Sequence, residues 1–461
     1  MIRSQHAYLP ARLLFLGASE ILLATSAFLI AMVAFHGLLN TIIALSYQQG
    51  ALKVLLVIAT IAVCMYYFDL YDPLILHSGR ETFTRLVQVL ASMCFIVAAL
   101  YAIFPSVRLN RYVFIIGTLA AGLFLILWRE LFVSTWPMFR ERVLLLGSGA
   151  LAEFLLQEMR NHPELNLEVV RHIPETQPGD PSPKSFQSGD FSDELARIVE
   201  QLRVRKVIVA LGDRRGKLPF DSLLELKRQG IFIQNGHDLY ETLTGKIDLS
   251  TLRPSAILFS PEFQPSRFYP IMKRVASFLV ALTILVIALP VMLLVAIAIR
   301  LDSEGPILLN QRRVGKLGRI FTVHKFRSMY QGSENAPIHR PASQQDERIT
   351  RVGRWIRTRR LDELPQLWNV LRGDMELVGP RPFVPNQEED CVRAIPFYRQ
   401  RWAIPPGLTG WAQVNRGYCE TLADNADKLA YDLFYIKHMS LGLDMLVVVR
   451  TAKMLLSRSP A

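Results

Sequence analysis

Ala276-Ser-Phe-Leu-Val-Ala-Leu-Thr-Ile-Leu-Val-Ile-Ala-Leu-Pro290-Val-Met-Leu-Leu-Val-Ala-Ile-Ala-Ile299 is long and apolar enough to cross a hydrocarbon layer, yet a proline interrupts it. Both flanks are basic: Arg267, Lys273 and Arg274 precede it, and Arg300, Arg312 and Arg313 follow. Basic residues collect on the cytoplasmic side of membrane segments, so both flanks belong on one side and the segment has to enter and return. A proline break permits that return. From Ala276 to Leu289 a helix extends only about 20 Å, roughly one leaflet with its headgroups. The expected form is a re-entrant helix-break-helix, with a Pro-kinked crossing as its competitor.

The rest of the chain agrees with a membrane setting. Hydrophobic residues make up 51% of the 461. Four further apolar stretches run about Leu13–Phe35, Leu52–Phe68, Leu86–Phe104 and Tyr112–Trp128, each near a crossing length. Glu20 and Gln88 interrupt two of them and are expected to pack toward neighbouring helices. The first span lacks a small-residue cleavage site and reads as an anchor instead of a removed signal peptide. Arg3 and Arg12 before it, with Arg129, Arg140 and Arg142 after the fourth, place both ends of this block in the cytoplasm, and the charged connector Asp69–Arg85 on the same side.

After the fourth span the pattern becomes that of an α/β unit. Val143-Leu-Leu-Leu146 is a buried-strand run, and Gly147-Ser-Gly149-Ala-Leu-Ala152 follows it like a dinucleotide fingerprint. Further strands are expected at Leu167–Val170, Lys206–Leu211 and Gly230–Gln234, with helices between, which gives a Rossmann-like topology. The glycines serve either a nucleotide phosphate or tight strand-to-helix packing. The second strand runs on as Val170-Arg171-His172 without an acid to bind ribose. Pro174–Gly189, rich in Pro, Ser and Gly, reads as a surface loop.

The charge of the chain is uneven. Its net charge is +12, and from Arg300 to Arg360 fourteen Lys or Arg stand against five Asp or Glu. No helix-turn-helix, zinc spacing or aromatic RNA-binding signature accompanies this cluster, so no nucleic acid is expected. An anionic membrane surface or a diphosphate suits it better. The cluster leads into Leu361-Asp-Glu-Leu-Pro-Gln-Leu-Trp-Asn-Val-Leu-Arg-Gly373, where two adjacent carboxylates precede a helix that starts at Pro365 and stops at Gly373, with Leu367, Trp368 and Leu371 as its apolar face. Asp362 and Glu363 then lie beside helical N–H groups, where a phosphate could be held by cations, reached by one carboxylate, and shared with a metal on the other. The plainer reading is that Asp362 caps the helix.

Taken together, Asp302-Ser-Glu-Gly-Pro306, Gln311-Arg-Arg-Val-Gly315, Lys325-Phe-Arg-Ser-Met329, Asp362-Glu-Leu-Pro-Gln-Leu367, Gly373-Asp-Met375, Leu377-Val-Gly-Pro-Arg-Pro382 and Pro406-Gly-Leu-Thr-Gly-Trp-Ala-Gln-Val414 resemble bacterial polyprenyl-phosphate glycosyl-1-phosphate transferases over about Arg267 to Leu456. The preceding four-span block and Rossmann-like domain resemble the long form that initiates exopolysaccharide or O-antigen synthesis. The resemblance implies a membrane protein of three parts. These are an α-helical bundle (1–135), an α/β Rossmann-like domain facing the cytoplasm (136–262), and a mainly α-helical monotopic catalytic domain with the re-entrant helix (263–461). It further implies the bacterial inner membrane as location, a UDP-sugar and undecaprenyl phosphate as substrates, and UMP as product. Asn415-Arg416-Gly417-Tyr418 departs from the commoner family pattern at that place.

In roles, the resemblance implies Asp362 as nucleophile and Glu363 as the partner that helps hold Mg²⁺. Arg357, Arg381, Lys325 and Arg327 match phosphate-binding positions, and Asp444 matches another polar active-site position. A homodimer through the membrane block and the α/β domain is compatible with the chain.

Two other classes compete. Membrane-anchored nucleotide-sugar dehydratases also join four spans to a Rossmann-like domain, and Tyr269-Pro-Ile-Met-Lys273 mimics their Tyr-x-x-x-Lys pair, but no second Gly-rich loop follows Ile299. A non-enzymatic scaffold for polysaccharide export would use only the spans and the basic surface. Elsewhere, Trp355 and Ile356 among arginines on Asp346–Leu361 suggest a helix on lipid headgroups or a packed surface helix. His324 and His438 lack metal-ligand spacing and read as structural. Cys64, Cys94, Cys391 and Cys419 show no paired motif. Lys437, His438, Asp444, Arg450 and Lys453 argue against a crossing within Tyr431–Leu456.

Overall fold

The computed structural model describes residues 11–47, 49–68, 70–71, 79–135, 141–162, 165, 167–174, 189–211, 218–260, 263, 268–331, 346–416 and 421–456. Most of Pro174–Gly189 and of the Asp69–Arg85 connector's first half, together with Gly417, Tyr418 and Cys419, lie outside the described residues. The chain forms two compact units, Met1–Leu243 and Thr244–Ala461.

Aliphatic runs with few breakers make the long helices of the first unit: α1 (Ala11–His36), α3 (Gly50–Tyr67), α4 (Gly79–Ile103) and α5 (Arg111–Thr135), with a short apolar α2 (Leu38–Tyr47) that the sequence reading did not foresee. Five described helices in the whole chain are long and apolar enough to cross a membrane, these four and one in the second unit. The bundle is apolar inside and out. Phe28, Val57, Ile61, Met93 and Leu125 are buried, while Phe95 and Leu119 stand exposed, as lipid-facing residues must. Gly117 allows α1 and α5 to close, since a Cβ there would fall 2.5 Å from the Phe28 ring. Glu20 packs inward as expected, and its partner is Arg129, with Nε to Oε1 at 2.6 Å and both side chains buried. Arg129 also donates to the Leu70 carbonyl. It is therefore a bundle residue more than a flanking charge. Gln88 does not pack inward; it is exposed on α4.

The second half of this unit is a four-stranded parallel sheet in the order β2-β1-β3-β4, from β1 (Glu141–Leu146), β2 (Leu167–Ile173), β3 (Lys206–Val209) and β4 (Phe232–Asn235). Alternate residues face opposite layers. Leu144, Leu146, Val207 and Val209 meet α7 (Gly189–Gln201) and α8 (Phe220–Arg228) through Leu195, Val199 and Leu226. Val143, Leu145 and Ile208 meet α6 (Ala150–Asn161) and α9 (Gly236–Thr244) through Leu155, Met159 and Leu239. This is the expected Rossmann-like arrangement. Gly147 has φ of 128°, and a Cβ on it would lie 2.2 Å from the Ala210 carbonyl oxygen, so packing alone demands glycine there.

The second unit is mainly helical. After α10 (Pro254–Phe259) comes α11 (Tyr269–Asp302), then the antiparallel hairpin β5 (Leu308–Val314) and β6 (Ile320–Phe326). Then follow α12 (Arg351–Thr358), α13 (Gln366–Arg372), β7 (Glu376–Val378), α14 (Pro385–Ala394), β8 (Gly407–Thr409) parallel to β7, α15 (Trp411–Asn415), α16 (Leu422–Lys437) and α17 (Leu441–Leu456). Buried Trp411 stacks on Phe434 and donates to the Gly245 carbonyl at 2.7 Å, which ties the start of the unit to its core.

In α11 the expected break at Pro290 is not a gap, because helical residues continue through it from Tyr269 to Asp302. Proline removes the donor that the Val286 carbonyl would accept from, which permits a bend within a continuous helix. Both ends of α11 pack on the same unit. Arg274 and Ser277 bond to α13 and β7 residues near the start, and Val295 and Ile299 pack against Phe326 and Ile356 near the end. Between them Val286, Ile287 and Leu289 are exposed.

Candidate active site

Three pieces of chain converge on the carboxylate pair. The β5–β6 hairpin delivers Lys325, whose register partner is Leu309. Helix α12 starts at Thr350, whose hydroxyl accepts from the Gly353 N–H at 2.8 Å, and it buries Ile356 against α11. Arg360 then takes a left-handed φ of 52°, uncommon for a side chain of that size, and turns the chain into a 3₁₀ turn at Leu361–Glu363. Helix α13 follows and ends at Gly373, with φ of 96°.

The backbone differs here from the sequence expectation. Pro365 precedes the helix instead of opening it, and no side chain caps either turn, so Asp362 is not an N-cap. The N–H groups of Glu363, Leu364, Leu367 and Trp368 donate to Arg360, Leu361, Leu364 and Pro365. These helical donors are occupied, and anion affinity falls to the side chains. Trp368 is exposed, while Gln366, Leu367, Asn369 and Val370 form the buried face. Asn369 explains the exchange: its amide donates to the Thr322 carbonyl at 2.7 Å and accepts from the His324 N–H at 3.1 Å, which fixes α13 to the strand carrying Lys325. Arg274 donates to the Val370 and Leu371 carbonyls at 2.6 and 2.8 Å and so closes the other end of α13. Sequence reading missed both; the only signal for Asn369 was a polar residue inside an apolar turn.

Glu363 directs Oε1 to two cations, Arg381 at 2.7 Å and Lys325 at 3.4 Å. Burial opposes its ionisation, yet the charges of Arg381 and Lys325 overcome this and hold the carboxyl well below the usual carboxylate range. Asp362, one residue earlier, is pushed up to about 6 by burial and by the Glu363 charge, against the pull of Lys325 and Arg357. Burial also lowers the Lys325 ammonium, with Glu363 resisting, and burial with the nearby Arg381 lowers Arg313 to about 10. Two adjacent carboxylates thus have their acidities driven apart, a pattern that marks divided chemical roles. One is a permanently ionised, paired anchor. The other is the more basic carboxylate, still ionised at neutral pH.

Two of the expected site residues are bonded to other partners. Arg327 is buried and donates to the Ser303 carbonyl and hydroxyl at 2.7 and 2.9 Å, at the turn that leaves α11. Asp444 joins a separate buried group, accepting from the Tyr269 hydroxyl at 2.8 Å and from the Tyr435 hydroxyl, with Lys273 at 3.5 Å. That group absorbs the Tyr-x-x-x-Lys pair, whose members seat a membrane helix. Among the expected histidines, His324 bonds Asn310 and His438 lies against the Phe434 ring. Cys64, Cys94 and Cys391 are free thiols. Helix α12 leaves Trp355 exposed under the Arg359 guanidinium and buries Ile356.

Stretches in both units of the chain match known families. Residues 268–458 match the model of the bacterial sugar transferase family, and residues 66–217 match that of a CoA-binding domain. The UDP-N-acetylgalactosamine-undecaprenyl-phosphate N-acetylgalactosaminephosphotransferase of Aeromonas hydrophila is 42% identical over 217 residues, 47% of this chain and 50% of the relative. The UDP-glucose:undecaprenyl-phosphate glucose-1-phosphate transferase of Escherichia coli (strain K12) is 32% identical over 321 residues, 68% of this chain and 67% of the relative. A protein of the latter name from Caulobacter vibrioides is 41% identical over 215 residues, 46% of this chain and 78% of its own length. The match thus spans half the length of the Aeromonas relative and about two thirds of the Escherichia one.

Proposed function

Because the chain belongs to the bacterial sugar transferase family, we propose that it transfers a sugar 1-phosphate from a UDP-sugar to undecaprenyl phosphate, releasing UMP, as the first membrane step of exopolysaccharide or O-antigen synthesis. The observation that carries this reading is the Asp362–Glu363 pair, split in acidity and set among Lys325, Arg357 and Arg381. A diphosphate repels an anionic attacker, and these cations would offset that repulsion. An Asp362 oxygen then forms a bond to the sugar-bearing phosphorus as the bond from that phosphorus to the UMP oxygen breaks. UMP leaves with that electron pair. A phosphate oxygen of undecaprenyl phosphate next attacks the same phosphorus and breaks the aspartyl bond, which yields undecaprenyl diphosphate sugar and returns the carboxylate.

Mg²⁺ fits this donor set. Among the described residues no group of three or more His, Cys, Asp or Glu is gathered for a metal. Mg²⁺ commonly uses one or two carboxylates and completes its shell with phosphate oxygens and water, and an ionised Glu363 beside a diphosphate offers that. Glu363 would hold the ion, which when bound would neutralise phosphate charge.

The orientation proposed is that both the catalytic unit and the α/β domain face the cytoplasm of the bacterial inner membrane, with α11 bending at Pro290 and returning to the side it entered. Packing of both ends of α11 on one polar unit supports this, since one folded unit cannot lie on both faces of a bilayer. Periplasmic labelling of a cysteine placed near Glu304 in intact cells would refute it.

The reaction is tested by UMP release from UDP-glucose and UDP-N-acetylgalactosamine by the purified full chain with Mg²⁺ and undecaprenyl phosphate. Without the lipid, one equivalent of UMP and a protein-bound sugar phosphate are expected from the wild type, and neither from Asp362→Asn. Equal UMP release by Asp362→Asn would exclude the covalent route. No release from any UDP-sugar by folded protein would favour the scaffold role.

A further inference from the structure

Arg381 reaches Glu363 from a short segment, Gly379-Pro-Arg-Pro382, whose flanking prolines restrict its main chain. One side of the segment is bonded to β8, with Gly379 donating to Thr409 and Gly407 to Pro380. The other side meets a buried guanidinium. Arg401, 3% exposed in its side chain, donates through Nη2 to the Arg381 carbonyl at 3.0 Å. It is held in turn by Asp432 at 3.0 Å, by Glu388 at 3.6 Å and by the Tyr398 hydroxyl, and it lies over the Phe383 ring at 4.7 Å. Trp402 donates to Glu388 at 3.3 Å and closes the group.

Burying a guanidinium with two carboxylates is a costly way to fill a core, and apolar residues of similar volume often serve as well. What an apolar residue could not do is bond the Arg381 main chain. We propose that Arg401 is a positioning residue for the transfer: it fixes the main chain from which Arg381 reaches Glu363 and the diphosphate. The inference rests on Arg381 binding phosphate, as proposed above. An error of about 1 Å in a charged group at a phosphoryl-transfer site is enough to cost a large factor in rate. Sequence spacing gave no hint, because Arg401 is twenty residues from Arg381 and reads as one more surface cation.

The test is a double-mutant cycle on the full chain, reading UMP release from UDP-glucose or UDP-N-acetylgalactosamine with undecaprenyl phosphate, alongside each variant's thermal unfolding midpoint. Arg381→Ala is expected to lose about a hundredfold in turnover. Arg401→Gln is expected to lose about tenfold in kcat with donor KM within about threefold, and the double variant to fall within about threefold of Arg381→Ala alone. A residue that merely stabilises the fold would instead give a double loss near the product, about a thousandfold. That result, or wild-type kcat in Arg401→Gln, overturns the inference. If Arg401→Gln does not fold, Asp432→Asn takes its place in the cycle with a single loss of about tenfold, and a double loss near the product again overturns it. Full activity in Arg381→Ala would overturn the phosphate-binding reading itself, and so separates the two failures.

Discussion

Two of the glutamates that pair with arginine, Glu20 and Glu363, sit in opposite settings. In the helix bundle, Glu20 and Arg129 bury both side chains, share a 2.6 Å contact, and are closed further by the Leu70 carbonyl. In the catalytic unit, Glu363 is shared between Arg381 and Lys325, its partners keep part of their surface open, and another carboxylate stands beside it. A closed pair with matched charge is a brace, because neither buried member is open to a ligand. An open pair with surplus cations and a neighbouring carboxylate is a site, because substrate can take up the surplus. Residue type is the same in both; stoichiometry and access differ.

Removing charge at each pair should therefore cost different things. The largest effect is expected at the open one: Asp362→Asn should lower turnover by about a thousandfold or more, with the unfolding midpoint close to wild type. Arg357→Ala, which removes only a stabilising charge, should keep a measurable trace of transfer. At the closed pair, Glu20→Gln leaves Arg129 buried without its counter-charge and should destabilise the bundle by about 3–5 kcal/mol. Thermal unfolding in detergent checks this, and the turnover of the remaining folded protein should be unchanged. Lost turnover without lost stability in Glu20→Gln would erase the distinction.

A middling effect is expected in pH dependence. In the proposed route Asp362 is ionised when it attacks, and burial with the Glu363 charge pushes its carboxyl up to about 6. The nucleophile is therefore half ionised near pH 6 and nearly all ionised a unit above, and kcat/KM of the first half-reaction should lose about tenfold per unit well below pH 6. An ordinary carboxylate would give that break near pH 4. Lys325 pulls the Asp362 pKa down, so Lys325→Gln should move the break upward as well as lower the rate. A break that stays at the same pH would mean that Lys325 does not act on Asp362.

Much of this contrast was legible in the residues, and the unread part has a common cause. The spans and the strand and glycine loop at Val143–Gly149 are local patterns, set by hydropathy or by backbone conformation, and they stand where expected, whereas the dyad lies in a 3₁₀ turn whose N–H groups are occupied. Trp368 was assigned to a buried face that Asn369 occupies, because a bond to the β6 main chain outweighs the hydrophobicity of a neighbouring position. Arg327 was assigned to phosphate and Asp444 to another polar active-site position, and their bonds run to Ser303 and to Tyr269 and Tyr435. Each of these depends on which distant main chain or hydroxyl is brought near, and side-chain charge at a sequence position does not encode that.

The smallest effect is expected at Gln88, which completes the comparison. It resembles Glu20 as a lone polar residue in an apolar span, but it faces outward on α4. With no buried partner to leave unpaired, Gln88→Leu should change stability by no more than about 0.5 kcal/mol, a surface-like response. An outward glutamine in hydrocarbon can, however, be satisfied by a second copy of the chain, since polar side chains bond across membrane helices for about 0.6–2 kcal/mol. Sedimentation or cross-linking in detergent separates the cases. A Gln88→Leu variant that dissociates from dimer to monomer would make this residue part of a third kind of pair, one completed between chains, and would give the expected homodimer its first named contact.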